Sequence, residues 1–245
     1  MALPKFNDTP SYEMNIPSTG TKIKYRPFLV KEQKVLLIAF ESQDEKQILE
    51  AMINTIRSCI VDSISINKLT TFDIEYMFIQ IRTKSVGEKA DLVLPCPKCE
   101  SDCETSVKLD DIKVEGINND IPLIKINDEY SLKLRYPKYV DVLEKTVKQK
   151  NDSFIERLYI LIRTCLDSLQ SNEERFPFDD ETEEEIESFL DSLPGHVFDE
   201  IMKFAKDLPT LKHDLKYHCE SCNEDHSRTL QGIADFFQFA SPMKA

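Results

Sequence analysis

The spacing of apolar positions divides the chain into helical and extended stretches. Residues 1–20 carry Pro4, Pro10 and Pro17 and the turn signal Ser18-Thr19-Gly20, so they read as an extended arm. Its isolated apolar residues, Leu3, Phe6 and Tyr12, can pin it to a surface; a frayed terminus is the alternative. Residues 22–28 alternate Ile23 and Tyr25 with polar positions, the pattern of a strand. From residue 30 to about 60 the spacing becomes helical, with Val35, Leu36, Ile38, Ala39 and Phe40 as a wide apolar face. Ser42-Gln43-Asp44-Glu45 has the form of a capping box and starts a second helix carrying Ile48, Leu49, Met52, Ile53 and Ile56. Cys59 extends that face as a small core residue. Beyond the loop Asn67-Lys68-Leu69-Thr70, residues 72–82 are apolar on almost every side, so this helix is buried on most faces. Asp73 and Glu75 sit in its first turn, where the helix dipole favours acid.

Gly87 stops that helix, and extended runs at 90–95 and 105–109 flank Cys96-Pro97-Lys98-Cys99. After a loop around Gly116, residues 122–126 and 130–136 form a hairpin across Asn127-Asp128-Glu129, with Leu132, Leu134 and Tyr136 on its buried face. The pattern then predicts a short helix at 139–148 and a longer one, capped by Ser153-x-x-Glu156, through Leu158, Ile162, Cys165 and Leu169. Residues 173–191 are strongly acidic, a solvated face or a docking surface for a basic partner. Within them Thr182-x-x-Glu185 opens a helix with Ile186, Phe189, Leu190 and Leu193. A last helix at 196–206 follows the Pro194-Gly195 break. Extended runs at 211–218 and 227–230 then flank Cys219-Glu220-Ser221-Cys222. The tail at 232–239 holds Phe236, Phe237 and Phe239, which must cap the core or be held by a partner.

The two C-x-x-C turns are the strongest chemical signal. Two intervening residues let both sulfurs of a tight turn converge on one ion, and a second such turn completes a tetrahedron. Cys96, Cys99, Cys219 and Cys222 are therefore the candidate ligands of a structural zinc ion; a redox pair is the reading for either turn alone. Glu100 and Asn223 occupy the position after each second Cys, where zinc knuckles often place Gly because the chain turns with positive φ. Asn accepts that conformation and Glu does so poorly. Cys103, His218 and His226 are near enough in sequence to compete; Cys103 reads as a bystander thiol and His226 as an exposed turn residue. The predicted fold class is α+β: a mostly helical body with short antiparallel β-hairpins and a zinc-ribbon-like site formed by two distant C-x-x-C knuckles. The organisation read from the pattern is an arm at 1–20 and an α+β domain at 21–109 with the first Cys hairpin. A β-hairpin plus helical insertion follows at 110–207, then the second Cys hairpin and the Phe-rich tail at 208–245.

Composition narrows the function. A formal net charge of −13 over 245 residues, with pI about 4.9, repels phosphate backbones and weakens a zinc-ribbon nucleic-acid module as the alternative function. Only five Gly are present, and neither a phosphate-cradling loop nor a G-x-S-x-G elbow occurs. No carboxylate pair stands out as acid and base, so the sequence reads as no enzyme; a metal hydrolase is a third reading, weakened by the lack of an open metal position. Seven Cys without an apolar leader point to a soluble protein in a reducing compartment, and no stretch has the apolar length of a membrane span.

Several motifs resemble a known family. Leu3-Pro4-Lys5-Phe6, the run from Ile16-Pro17-Ser18-Thr19-Gly20 through Arg26-Pro27-Phe28-Leu29-Val30-Lys31-Glu32, Phe72-Asp73-Ile74-Glu75-Tyr76, and Arg82-Thr83-Lys84-Ser85-Val86-Gly87-Glu88 are similar to the T4-type bacteriophage baseplate hub subunits and hub assembly proteins. The resemblance covers about the first 110 residues. It implies a structural or assembly role, as a hub component or a hub assembly chaperone, with other phage baseplate and tail proteins as partners. It implies no reaction; no small-molecule substrate, nucleic acid or membrane span is expected. The expected location is the host cytoplasm during assembly, or the tail baseplate of the virion. Phe6, Tyr12, Phe236 and Phe237 are the candidate partner-binding residues.

Overall fold

The computed structural model describes residues 9–42, 44–121, 123–146 and 154–236. Phe6 and Phe237 lie outside these residues, as do Leu3, Gln43, Ser153 and Phe239. The chain forms two units. The first takes the described parts of Met1–Ile66, Phe72–Glu115 and Pro209–Ala245, and the second takes Asn67–Thr71 and Gly116–Leu208.

In the first unit, β1 (Tyr12–Asn15) pairs antiparallel with β2 (Lys22–Tyr25), because Met14, Ile23 and Tyr25 all turn inward. Together with the buried Ile16, this pairing corrects the extended arm at 1–20: its second half is part of the core. Tyr12 is half-buried, with its ring 5.8 Å from that of Tyr25, so much of this candidate partner residue is used within its own chain.

Helix α1 (Val30–Glu41) begins where Glu32 Oε2 accepts the Leu29 N–H at 2.7 Å while Oε1 pairs with Arg26 at 3.0 Å. Burial opposes the charge on Glu32, but hydrogen bonds from Arg26 and the Leu29 amide hold its carboxyl below the usual range. Of the wide apolar face predicted for α1, Leu36 and Ala39 are buried, whereas Val35 and Ile38 are exposed. Helix α2 (Glu45–Cys59) is capped by Asp44, which accepts from the Lys46 and Gln47 amides, so the capping role expected of Ser42 belongs to Asp44.

Helix α3 (Thr71–Val86) buries Phe72, Ile74, Met77, Phe78, Ile79 and Ile81, matching its all-round apolar pattern, and Gly87 ends it at φ 137°. Asp73 is fully buried and accepts from Ser18 N at 2.9 Å and Ser18 Oγ at 2.6 Å. Asp73 therefore ties down the turn between β1 and β2. Strands β3 (Lys89–Pro95) and β4 (Asp102–Lys108) form the first Cys hairpin, with Ala90, Leu92, Leu94, Cys103 and Val107 inward. Strand β5 (Lys113–Glu115) is the last element before the second unit.

The second unit is a four-stranded antiparallel sheet with helices. Its strands β6 (Ile124–Lys125) and β7 (Ser131–Leu134) form the predicted hairpin, turned by Asn127 Oδ1, which accepts from the Glu129 and Tyr130 amides. After α4 (Tyr139–Thr146), helix α5 (Phe154–Cys165) stops four residues earlier than its spacing predicts. Leu166–Gln170 is instead strand β8, with Leu169 opposite Leu132 of β7. The physical reason is tertiary: the edge of β7 offers a ladder, the Arg135 amide donates to Cys165 O at 2.8 Å, and Leu166 and Ser168 then alternate inward. Pairing with a waiting edge outweighs the local helical spacing. Strand β9 (Arg175–Pro177) completes the order β6-β7-β8-β9. Helix α6 (Glu183–Asp191) has the predicted Thr182/Glu185 capping box, and α7 (Gly195–Lys206) follows Pro194. Ile124, Leu132, Leu134, Ile162, Leu166 and Ile201 are at the centre of this unit's core.

The chain returns to the first unit as β10 (Thr210–Cys219) and β11 (Glu224–Gln231), the second Cys hairpin, followed by α8 (Gly232–Phe236). β10 lies between β11 and β5, and Thr210 pairs with Glu115. The strand leaving the first unit and the strand re-entering it are thus neighbours, so the intervening segment is an insertion at one point of the sheet. Phe236 packs in the core with Leu94, Leu109, Leu211 and Leu230, which corrects its assignment as a partner-binding residue: it caps its own core.

Candidate metal centre

Each C-x-x-C turn closes a hairpin of the first unit. β3 and β4 pair as far as Pro95 and Asp102, and the next residue, Cys96, opens the turn. Its amide donates to Ser101 O at 2.9 Å and its carbonyl accepts from the Glu100 amide at 2.9 Å. In the second hairpin the final pair is Cys219 with Glu224, and the Asn223 amide donates to Cys219 O at 2.8 Å. Glu100 (φ 60°) and Asn223 (φ 55°) are the positive-φ non-glycine residues of the described chain. Both knuckles adopt the left-handed turn without glycine, and this turn aims the two sulfurs of each pair the same way.

The two turns meet. Cys96 Sγ lies 3.7 Å from Cys222 Sγ, and Cys99 Sγ lies 3.6 Å from Cys219 Sγ. All four sulfurs are within 4.8 Å of one another, so they form a cluster that could hold a metal. Cys96 and Cys219 are buried among the apolar residues of the core, while Cys222 is half-buried and Cys99 exposed. An exposed ion pair between Lys98 and Glu224 joins the two turns at their rim.

Polar groups of the first knuckle lie beside three of the four sulfurs. The Lys98 amide donates to Cys96 Sγ at 3.4 Å, and Ser101 Oγ lies 2.9 Å from Cys99 Sγ and 3.4 Å from Cys219 Sγ. Hydrogen bonding from Ser101 draws the Cys219 thiol down to about 5. Burial and the adjacent sulfurs push Cys222 up to about 12. Four thiols this close resist losing all their protons unless a cation sits among them, which is the role a metal fills.

Cys103 and His218 lie apart from the cluster, whereas His226 lies against it. Cys103 is buried, its thiol is pushed up to about 11 chiefly by burial, and it lies outside the four-sulfur cluster. His218 turns away, with Nδ1 2.7 Å from Asp225 Oδ1. His226 requires a correction: it is a half-buried residue of β11, not an exposed turn residue, and its Nε2 is 3.3 Å from Cys96 Sγ. It shares a second potential metal-holding group with Cys222 and Glu224 and faces Cys96, so it stands at the edge of the four-sulfur cluster as a competing ligand. Sequence reasoning missed Ser101; its place two residues after Cys99, inside the same knuckle, was the available signal.

Among the described residues, no helix is long and apolar enough to cross a membrane. A protein of Enterobacteria phage T4, the baseplate hub assembly protein gp26, is 21% identical over 231 residues, covering 93% of this chain and 98% of that protein. No solved structure gives a significant match. The profile of the family described as T4 bacteriophage base plate protein matches residues 9–238, nearly the whole described chain, and the protein belongs to that family.

Proposed function

We propose that the protein works in assembly of the baseplate hub of a contractile-tailed phage, through contacts with other baseplate and tail proteins. In this reading one structural zinc ion, held by Cys96, Cys99, Cys219 and Cys222, keeps the contact-making body in a single shape. Family membership and the hub assembly role of the T4 relative support the first part. The observation that carries the second is the convergence of four sulfurs from hairpins whose facing Cys99 and Cys219 are 120 residues apart. A tetrahedral four-thiolate site with metal–sulfur bonds of about 2.3 Å separates its sulfurs by about 3.8 Å. The facing separations of 3.6 and 3.7 Å match that spacing.

Bound zinc supplies a redox-inert cross-link with no position open to water, so the site serves folding rather than catalysis. Cys96 and Cys219 hold it to the core, Cys99 and Cys222 close it from the rim, and Ser101 and the Lys98 amide hold the sulfur charge in place. The nucleic-acid alternative fares worse: the knuckles carry Glu100, Glu220 and Glu224 beside Lys98 in a chain of net charge −13.

The protein is a hub component or a hub assembly chaperone acting in the host cytoplasm, and its copy number in finished baseplates separates the two. A phage lacking the chain should accumulate unassembled hub subunits, and so should one carrying Cys219→Ser with Cys222→Ser. Completed hubs without the chain would refute the assembly role. Completed hubs with the double variant would refute the structural metal.

A further inference from the structure

Helix α1 carries more apolar surface than the described residues of its own unit cover. Val30 is 79% exposed, Leu37 59%, Ile38 56% and Val35 51%, with Leu29 at the edge of the same stretch. The buried side is narrow, consisting of Glu32, Leu36 and Ala39. At 3.6 residues per turn, Val30, Lys34, Leu37, Ile38 and Glu41 line the opposite side. Single apolar residues at a surface are ordinary, but a continuous helical stripe of them marks an interaction face.

The charges within the stripe indicate what covers it. Lys34 and Glu41 bracket Leu37 and Ile38, both are exposed, and among the described residues neither has an ion pair or hydrogen bond within its own chain. Glu41 also stands against the helix dipole, in a last turn that holds no basic residue. A second α1 laid antiparallel about a two-fold axis between Leu37 and Ile38 cures both defects. It sets Lys34 against Glu41 of the partner subunit, and Glu41 against Lys34 of the partner subunit, while Leu37 and Ile38 pack across the axis. The i, i+3, i+4, i+7 spacing of these four residues is the seam that helix pairing requires.

We propose that α1 is a self-association face and that the protein forms a two-fold dimer through antiparallel α1 helices. One helix face is smaller than a standard stable interface, so the dimer is weak and concentration-dependent. It uses none of the cysteine cluster, and its failure would leave the metal centre untouched.

Sedimentation velocity of the full, metal-loaded chain over a concentration series tests this. The wild type should shift from monomer towards dimer as concentration rises. Lys34→Glu and Glu41→Lys should each weaken the dimer by about tenfold, because symmetry makes every reversal act twice. The combined variant Lys34→Glu/Glu41→Lys should restore it, and Leu37→Asp should abolish it. All three positions are exposed, so the fold is retained, which circular dichroism checks. A wild type that stays monomeric throughout, a dimer indifferent to the single reversals, or a combined variant as weak as the singles would overturn the proposal.

Discussion

Glu100 and Asn223 take a backbone conformation that suits neither equally. A left-handed residue with a Cβ costs about 1–2 kcal/mol, less for Asn than for Glu. Glu100→Gly should therefore raise stability by about 1 kcal/mol, read as a melting temperature a few degrees higher. A lower melting temperature would mean that the Glu100 side chain contributes more than its backbone costs. Glu75 makes the opposite kind of concession. Burial pushes its carboxyl up to about 7 from an ordinary 4.5, against the Ile233 amide that donates to it. The folded state then holds a proton that the unfolded chain has released between those two values. Its contribution is fully present below pH 4.5 and is lost as pH rises through about 7, by at most about 3 kcal/mol. Denaturant unfolding at pH 5 and pH 8 should show this loss in the wild type and not in Glu75→Gln; equal pH dependence in both proteins would remove Glu75 as the cause. The sequence shows Asp73 and Glu75 only as acids at a helix start. That one anchors the Ser18 turn and the other meets the chain at Ile233 depends on contacts 55 and 158 residues away in sequence.

At the scale of elements, local chemistry was legible where it was sufficient. The Thr182/Glu185 box, the Asn127 turn and both C-x-x-C hairpins could be read directly, because each is closed by residues within a few positions of one another. The prediction failed where a distant strand decided the outcome. Leu169 continues a helical apolar spacing, yet β7 captures it into β8. His226 and Phe236 were misplaced for the same reason: β11 and the core beneath it set their exposure, and no local pattern shows that. The β1–β2 hairpin likewise depends on a partner far along the chain. Asp73→Ala leaves both Ser18 donors without their acceptor and should cost about 2–3 kcal/mol in equilibrium unfolding, with Ser18→Ala costing about 1. A change below about 0.5 kcal/mol for Asp73→Ala would show that the turn is held by other contacts.

For the whole molecule, the insertion is accommodated at one place. β5 and β10 lie side by side where the chain leaves and rejoins the first unit, so its sheet continues across the break. A metal held by the cysteine cluster, as proposed, would close the same loop a second time. Cross-linking positions about 120 residues apart removes, in chain-entropy terms, about 4–5 kcal/mol of freedom from the unfolded state. Stripping the metal with a strong chelator should therefore lower the melting temperature of the first unit by many degrees, with zinc restoring it; an unchanged melt after proven metal loss would deny the cluster a structural role. The most direct test is X-ray absorption at the zinc edge on protein purified without chelator. One zinc per chain, surrounded by four sulfurs at about 2.3 Å, is the predicted result. Absence of stoichiometric zinc, or a shell containing nitrogen or oxygen at about 2.0 Å, would contradict the four-cysteine centre.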